Sequence, residues 1–193
     1  MTNTISDLLE AASERAVPVV RGITDDQLAD PTPCADYDVR ALIDHLLQVV
    51  INFQALAAKE HPDFAVDPHF VQDGGDWRAR FAEETSALVT AWAAPGAEEG
   101  SPGQMGLQAR TVGTMILGDL TVHAWDLARA TGQEFTPDPV VVAEIAPTLA
   151  ELAPKAREGG VFDEPVPLPE DEETSAFDRV LALTGRDPHW QTP

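Results

Sequence analysis

The sequence predicts an all-α fold, a helical bundle, from three observations. Apolar residues recur at helical spacing in several long segments, whereas alternation of apolar and polar residues never persists for more than a few residues. Capping residues, prolines and glycines stand where these segments begin and end. A length of 193 residues suits one well-cored domain. We predict a single domain over residues 1–193, in which residues 161–193 form an extended tail whose short helix packs on the bundle.

The first predicted helix carries apolar residues at helical spacing from Thr4 to about Arg21, and Gly22 is expected to end it. Thr24 and Gln27 then stand at capping-box spacing, which predicts a short helix immediately afterwards. A loop with two prolines follows and leads into the second long helix.

Asp38 is the predicted N-cap of the second long helix, which runs to about Lys59. Residues 60–75 contain two prolines and a glycine pair, so they are predicted to form a loop or crossover. The third helix is predicted from about Asp76 to Ala93. Its large apolar residues fall on one stripe: Trp77, Phe81, Leu88 and Trp92.

The fourth predicted helix spans about residues 107–131, with Gly132 at its C-terminal cap position. Asp138 then caps a fifth helix that has Pro139 at its first position. The tail begins as an acidic, proline-rich extended segment and closes with a short amphipathic helix near residues 175–183. Four substantial helices plus these accessory elements favour a four-helix bundle.

Charge and composition argue against several partners. The chain has 33 acidic against 12 basic residues, a formal charge of −21, so we expect it to bind no nucleic acid and no anionic membrane. No apolar run approaches the ~20 residues of a membrane span, and the N-terminus lacks a signal-peptide pattern. Cys34 is the single cysteine, which favours a reducing cytoplasmic location. The sequence leaves the oligomeric state open, a homodimer included.

Asp119 and His123 stand out because both lie on the apolar face of the fourth helix. Each residue advances by about 100° on a helical wheel, so His123 lies at about +40° from Asp119 and the apolar Val112 at about +20°. Asp126 lies at about −20°, toward the wetter end of the helix. A carboxylate and an imidazole one turn apart are therefore predicted to point into the core.

The second helix repeats this pattern around His45. Its wheel neighbours within about 80° are apolar: Leu42, Val49, Phe53 and Leu56. The sequence thus predicts a second imidazole on a core face, on a helix that could face the fourth.

Two explanations compete for these buried polar groups. One is structural: a His–Asp hydrogen-bond network between helices, with ordered water. The other is a divalent cation held by His45, Asp119 and His123, because imidazole nitrogen and carboxylate oxygen suit Zn²⁺, Ni²⁺ or Fe²⁺. Three protein ligands would leave positions open for water or substrate, as in catalytic metal sites.

Three stretches of the chain together resemble a known family. The segments "TPCADYDVRALIDHL", "GDLTVHAWDLARATG" and "RVLALTGRDPHW" resemble the signatures of DinB-like metal-binding bundles. More narrowly, they are similar to the actinobacterial branch related to the metal-binding domain of mycothiol-dependent maleylpyruvate isomerase. The resemblance implies a four-helix bundle with a long crossover and a metal at one open end.

The resemblance also implies a ligand set. Its metal-binding histidine in the second helix falls on His45, and its two ligands in the fourth helix fall on Asp119 and His123. The related proteins usually carry glutamate where this chain has Asp119, which keeps the charge but shortens the reach by one methylene. The larger isomerases of the family also carry a C-terminal domain for which this chain has no room, so we do not expect the same reaction.

The remaining candidates are weaker. Cys34 precedes the second helix and is interpreted as a packing residue, with a reactive thiol as the alternative. Asp126 is expected either to orient a ligand histidine or to pair with Arg129. Surface positions are predicted for the other histidines, His61, His69 and His189, although the loop carrying His69 could fold over the mouth of the bundle.

The sequence-level hypothesis is a cytoplasmic protein that binds a divalent metal, zinc first and nickel or iron as alternatives. The open metal position would bind a small-molecule thiol, mycothiol by resemblance or another low-molecular-weight thiol, and present it to a small electrophilic substrate. The reaction would be a thiol transfer or a thiol-assisted isomerisation, and no separate catalytic base is identified. The alternatives are a non-catalytic metal-binding or stress-response module, and a metal-free structural bundle.

Overall fold

The computed structural model describes residues 3–66, 68–72, 75–169 and 174–192. These residues form α-helices, one 3₁₀ turn at Asp25–Gln27 and no strand, so the all-α prediction is confirmed. The described helices are α1 Ile5–Gly22, α2 Val39–Ala57, α3 Trp77–Trp92, α4 Ala109–Ala130, α5 Pro139–Glu158 and α6 Ala176–Leu183. Parts of the predicted loop at 60–75 and of the predicted acidic tail, residues 67, 73–74 and 170–173, lie outside the described residues.

The helices begin where their polar caps predict. The side chains of Thr4, Asp38, Asp76, Asp138 and Ser175 each accept a hydrogen bond from a backbone N–H in the first turn of the helix that follows. Each bond satisfies a donor that has no partner within the helix. These caps set the start of the described helices other than α4, whose N-cap residue Gln108 makes no side-chain cap bond.

The first four helices form the bundle. Helix α1 packs against α3 and α4, and α2 also packs against α3 and α4, so α1 and α2 lie diagonally across the bundle. Helix α5 packs on α4 and α1, and α6 packs on α5. Because α2 and α4 are direct neighbours, side chains on their facing stripes can meet, which is the condition that the predicted histidine pair requires.

Helix α1 and the end of α3 pack tightly against α4 at Gly113. Gly113 has no side chain, and a Cβ atom placed there would lie 2.8 Å from Ile5 Cγ2 and 2.9 Å from Trp92 Cζ3. The glycine thus allows α1 and the end of α3 to approach α4 more closely than any other residue would. Neighbouring core side chains such as Phe81, Leu88 and Ile116 are fully buried.

The loop between α2 and α3 folds back onto α2. The backbone N–H of Val71 donates to the buried Asp44 carboxylate at 2.8 Å, and the Phe64 ring lies edge-on to Phe53 with ring centroids 6.0 Å apart. The described part of this loop therefore covers α2 near His45, as expected for a segment that closes over one end of a bundle. No helix in the described residues has the length and apolar character needed to cross a membrane.

Candidate functional site

The two predicted core histidines meet between α2 and α4. The ring centroids of His45 and His123 are 5.2 Å apart, and the ring planes are nearly perpendicular at 87°. His45 also stacks on Tyr37, with centroids 5.1 Å apart and planes inclined by 22°. His123 is buried and His45 is half-buried. Two rings predicted from separate helical wheels are thus brought into contact.

His123 is oriented by a carboxylate one turn further along α4. Its Nδ1 lies 2.9 Å from Oδ2 of Asp126. A carboxylate can only accept, so Nδ1 carries the proton and donates, and the Nε2 lone pair is left for another partner. Metal-binding histidines show this arrangement, in which a carboxylate on one ring nitrogen fixes the tautomer and the ring orientation. Of the two partners expected for Asp126, the structure shows His123 and not Arg129.

The burial of Asp126 corrects a prediction. The helical wheel placed this residue toward the wetter end of the helix, but the structure buries it completely. The reason is Arg186, which follows α6 and donates from Nη2 to the same Asp126 oxygen at 3.3 Å and from Nη1 to the Thr184 carbonyl at 2.7 Å. The wheel of one helix contains no information about a tail residue that covers it.

Arg186 is the functional residue that the sequence analysis missed. It lies in the "RVLALTGRDPHW" stretch, but it is sixty positions from Asp126, so no spacing rule connects the two. It is 6% exposed, and its Nε has no hydrogen-bond partner among the described residues. The buried guanidinium of Arg186 therefore contacts the Asp126 carboxylate that orients His123, and it neutralises the charge of that carboxylate.

Asp119 is the third residue of the predicted ligand set, and it does not belong to the group of described ligand atoms that lie within 4.8 Å of one another. It is half-buried, one turn before His123, and lines the same cavity as both histidines. Burial raises the pKa of its carboxyl group, against an opposing effect of the nearby His123. No hydrogen bond joins Asp119 to any described residue. Arg186 acts on this carboxyl group in the same direction as His123, at a distance longer than an ion pair.

His45 is held in its neutral form. Burial, with the adjacent His123 ring, lowers the pKa of His45 to about 3. A neutral imidazole keeps a lone pair for a metal ion. His45, His123 and Asp119 line one cavity and bear two imidazoles and one carboxyl group, donor types that suit Zn²⁺, Ni²⁺ or Fe²⁺.

Cys34 lies closer to this site than the sequence suggested. Its Sγ, a ring nitrogen of His123 and a carboxylate oxygen of Asp126 lie within 4.8 Å of one another, a spacing that a metal ion could bridge. Only His123 belongs to both this group and the predicted ligand set. We assign Asp126 an orienting role, because its Oδ2 already accepts from His123 and Arg186. Burial raises the pKa of the Cys34 thiol to about 11, which favours the neutral thiol.

A cavity of about 440 Å³ opens above these groups, and we call it the histidine cavity. It is lined by the three predicted ligands together with Cys34 and Arg186, and by apolar side chains from α2, α4, α5 and three loops. A second cavity of about 530 Å³ lies on the other side of His45, between α2 and the loop that carries His69. His61, His69 and His189 are exposed, as predicted.

The residues of this site on α2 and α4 lie within a region that matches a known protein family. The family model described as "Mycothiol maleylpyruvate isomerase N-terminal domain" matches residues 9–128, well over half of the chain. The chain belongs to this family. The match confirms the resemblance stated from the sequence motifs, and it covers His45, Asp119, His123 and Asp126. Arg186 lies outside the matched residues.

Two relatives of this chain come from Mycobacterium tuberculosis. The uncharacterized protein MT0763 of strain CDC 1551 / Oshkosh is 29% identical over 189 residues, which cover 92% of this chain and 94% of the relative. The uncharacterized protein Rv0738 of strain ATCC 25618 / H37Rv gives the same values. Both matches extend over nearly the whole of each chain. No solved structure matches the chain.

Proposed function

We propose that this protein binds one divalent metal ion through His45, Asp119 and His123 and uses it to activate a small thiol. Zinc is the first candidate metal, with nickel and iron as alternatives. Mycothiol is the first candidate thiol, because the family carries its name. The product would be a thiol adduct or an isomer of a small electrophile.

The observation that carries the proposal is the orientation of His123. Asp126 holds its Nδ1, so Nε2 remains available beside the neutral His45 ring, in the cavity that Asp119 also lines. The stacking of Tyr37 on His45 restricts the second ring in the same way. Two of the three donor groups, the rings of His123 and His45, are thus held in place, which reduces the entropy that ligand binding must overcome.

The chemistry follows from what each group can do. A bound divalent metal would supply charge that lowers the pKa of a thiol and favours the thiolate. In a transfer, a new carbon–sulfur bond forms, the leaving group departs with its electron pair, and the thiol proton passes to water at the cavity mouth. His45 and His123 hold their positions, and the apolar walls limit the water that competes for the electrophile.

A metal-free bundle accounts for only part of the geometry. The His123–Asp126–Arg186 network would stabilise a buried carboxylate without any metal. That network leaves Asp119 without a partner, and no hydrogen bond joins any two of His45, Asp119 and His123. A structural network would be expected to join His45, Asp119 and His123 by hydrogen bonds, and these three residues are not joined.

Metal content is the first test. Purified protein reconstituted with zinc should carry close to one ion per chain by elemental analysis, and His45→Ala should remove most of it. His61→Ala is the matched control, because His61 is exposed and does not line the cavity, and it should keep the ion. Absence of metal after reconstitution with zinc, nickel and iron would overturn the proposal.

The thiol reaction is tested with mycothiol and 1-chloro-2,4-dinitrobenzene, whose thiol adduct forms with release of chloride and is read by absorbance. The zinc-loaded wild type and His61→Ala should accelerate adduct formation, whereas His45→Ala should not. Full zinc occupancy with no acceleration and no mycothiol binding by calorimetry would instead support the non-catalytic metal-binding alternative.

A further inference from the structure

The mouth of the histidine cavity is rimmed by exposed apolar side chains. Phe64 is 47% exposed, Met105 is 40% exposed and Val161 is 71% exposed, and all three line the cavity. They come from three separate loops, after α2, after α3 and after α5. Single exposed apolar residues are ordinary, but three that converge from separate loops on one opening form an apolar surface.

The apolar surface continues inward from this rim. Val49 and Phe53 of α2, Met115 and Val122 of α4, and Leu149 of α5 line the wall of the same cavity. The most buried polar groups that line the cavity are His123 and Arg186, each 6% exposed, whereas Asp36 lies at the exposed edge. The cavity is therefore divided into a polar floor and an apolar wall that reaches from the floor to solvent.

The charges around the cavity do not favour an anionic occupant. Arg186 is the one cationic residue among the described residues that line it, and its guanidinium already binds Asp126 and the Thr184 carbonyl. Asp36 and Asp119 add negative charge to the lining, and the whole chain carries a formal charge of −21. Apart from the proposed metal ion, a substrate with several carboxylates would find no free cationic side chain here and would be repelled at longer range.

We infer that the electrophilic substrate of this site carries an alkyl or aromatic group. This group lies along the apolar wall while the reactive end of the substrate reaches the polar floor. This inference rests on the proposed function and names its substrate class. A cavity of about 440 Å³ falls within the range of small-molecule sites that are mostly apolar with a few convergent polar groups.

The experiment uses unbranched alkane thiols, from ethanethiol to hexanethiol, as probes of the zinc-loaded full chain. The sulfur anchors each probe at the metal, and the alkyl chain takes the place of the substrate's apolar group along the wall. Only the chain length changes between the probes. A fully buried methylene contributes about 0.8 kcal/mol, so affinity measured by calorimetry should rise about fourfold per methylene. The ω-mercapto acids of matched length should bind more weakly than the alkane thiols.

Variants locate the effect on the rim. The combined change Phe64→Gln, Met105→Gln and Val161→Gln should reduce the gain per methylene for the longer probes while zinc content stays at one ion per chain. Val140→Gln is the matched control, because Val140 is 51% exposed on α5 but does not line the cavity, and it should change nothing.

The outcomes separate the two proposals. If all the thiols bind with equal affinity, or if the mercapto acids bind more tightly, the apolar substrate class is wrong while metal-assisted thiol binding stands. If no thiol of any length binds the zinc-loaded protein, the proposed function fails and the inference fails with it.

Discussion

Helix α4 divides into two halves, residues 109–118 and residues 119–130, that face different surroundings. Both halves show helical periodicity, and both are almost entirely buried. The first half packs against α1 and the end of α3, where Gly113 contacts Ile5 and Trp92. The second half faces His45 of α2 and the tail, and it carries Asp119, His123 and Asp126. One half is held by close apolar packing, and the other holds polar groups that packing alone does not explain.

This difference separates stability from function along a single helix. Apolar packing stabilises a fold in proportion to the surface it removes from water. Buried polar groups contribute little net stability and are strongly unfavourable when their partners are removed. We therefore expect substitutions in the first half to change the free energy of unfolding, and substitutions in the second half to change metal affinity.

The largest effects should come from exchanging the two roles. Ile116→Ala removes a fully buried side chain in the first half, so it should lower the free energy of unfolding by about 2–5 kcal/mol. Urea denaturation of metal-free protein measures this loss. The folded variant should still bind zinc with wild-type affinity.

His123→Ala should show the opposite pattern, with zinc affinity lost by orders of magnitude in a calorimetric titration. Because Asp126 keeps Arg186 as a partner, the loss of stability without metal should be smaller than that of Ile116→Ala. If both variants lose the same property, the division of α4 into two halves is wrong.

A smaller effect is expected from Asp126→Asn in the second half. The amide oxygen can still accept from His123, but the charge that fixes the imidazole and pairs with Arg186 is lost. Substitutions of such orienting partners typically reduce metal affinity by about 10–100-fold. Zinc competition with a chromophoric chelator measures the change. Asp138→Asn, at the N-cap of α5 and outside the cavity lining, is the control that should leave affinity unchanged.

The smallest effects should come from the two glycines of α4. Gly113→Ala places a Cβ less than 3 Å from Ile5 and Trp92, and overpacking of this kind costs about 1–3 kcal/mol. Gly118→Ala meets only Leu149, at 3.4 Å, and replaces a helical glycine, so it should be neutral or stabilise by up to about 1 kcal/mol. Thermal melts of both variants test the contrast, and equal shifts would contradict it.

The sequence predicted the parts of this molecule that are encoded locally. Helix starts followed from capping residues such as Asp38, and the facing pair His45 and His123 followed from two separate wheels. The burial of Asp126 and the role of Arg186 did not, because they depend on where the tail returns to the bundle. The position of Cys34 against His123 was missed for the same reason: a loop was read only against its own neighbours in the chain.

The central claim, that the polar half of α4 is a metal site, is tested most directly at Asp119. Zinc is titrated into wild type, Asp119→Asn and Asp119→Glu, and each protein is melted with and without excess chelator. A ligand must keep its charge, so the Asn variant should lose zinc affinity by orders of magnitude and its melting temperature should no longer respond to chelator. The Glu variant should keep most of the affinity, because the cavity above Asp119 can accommodate one more methylene. Zinc binding that tolerates Asn and is abolished by Glu would contradict the account.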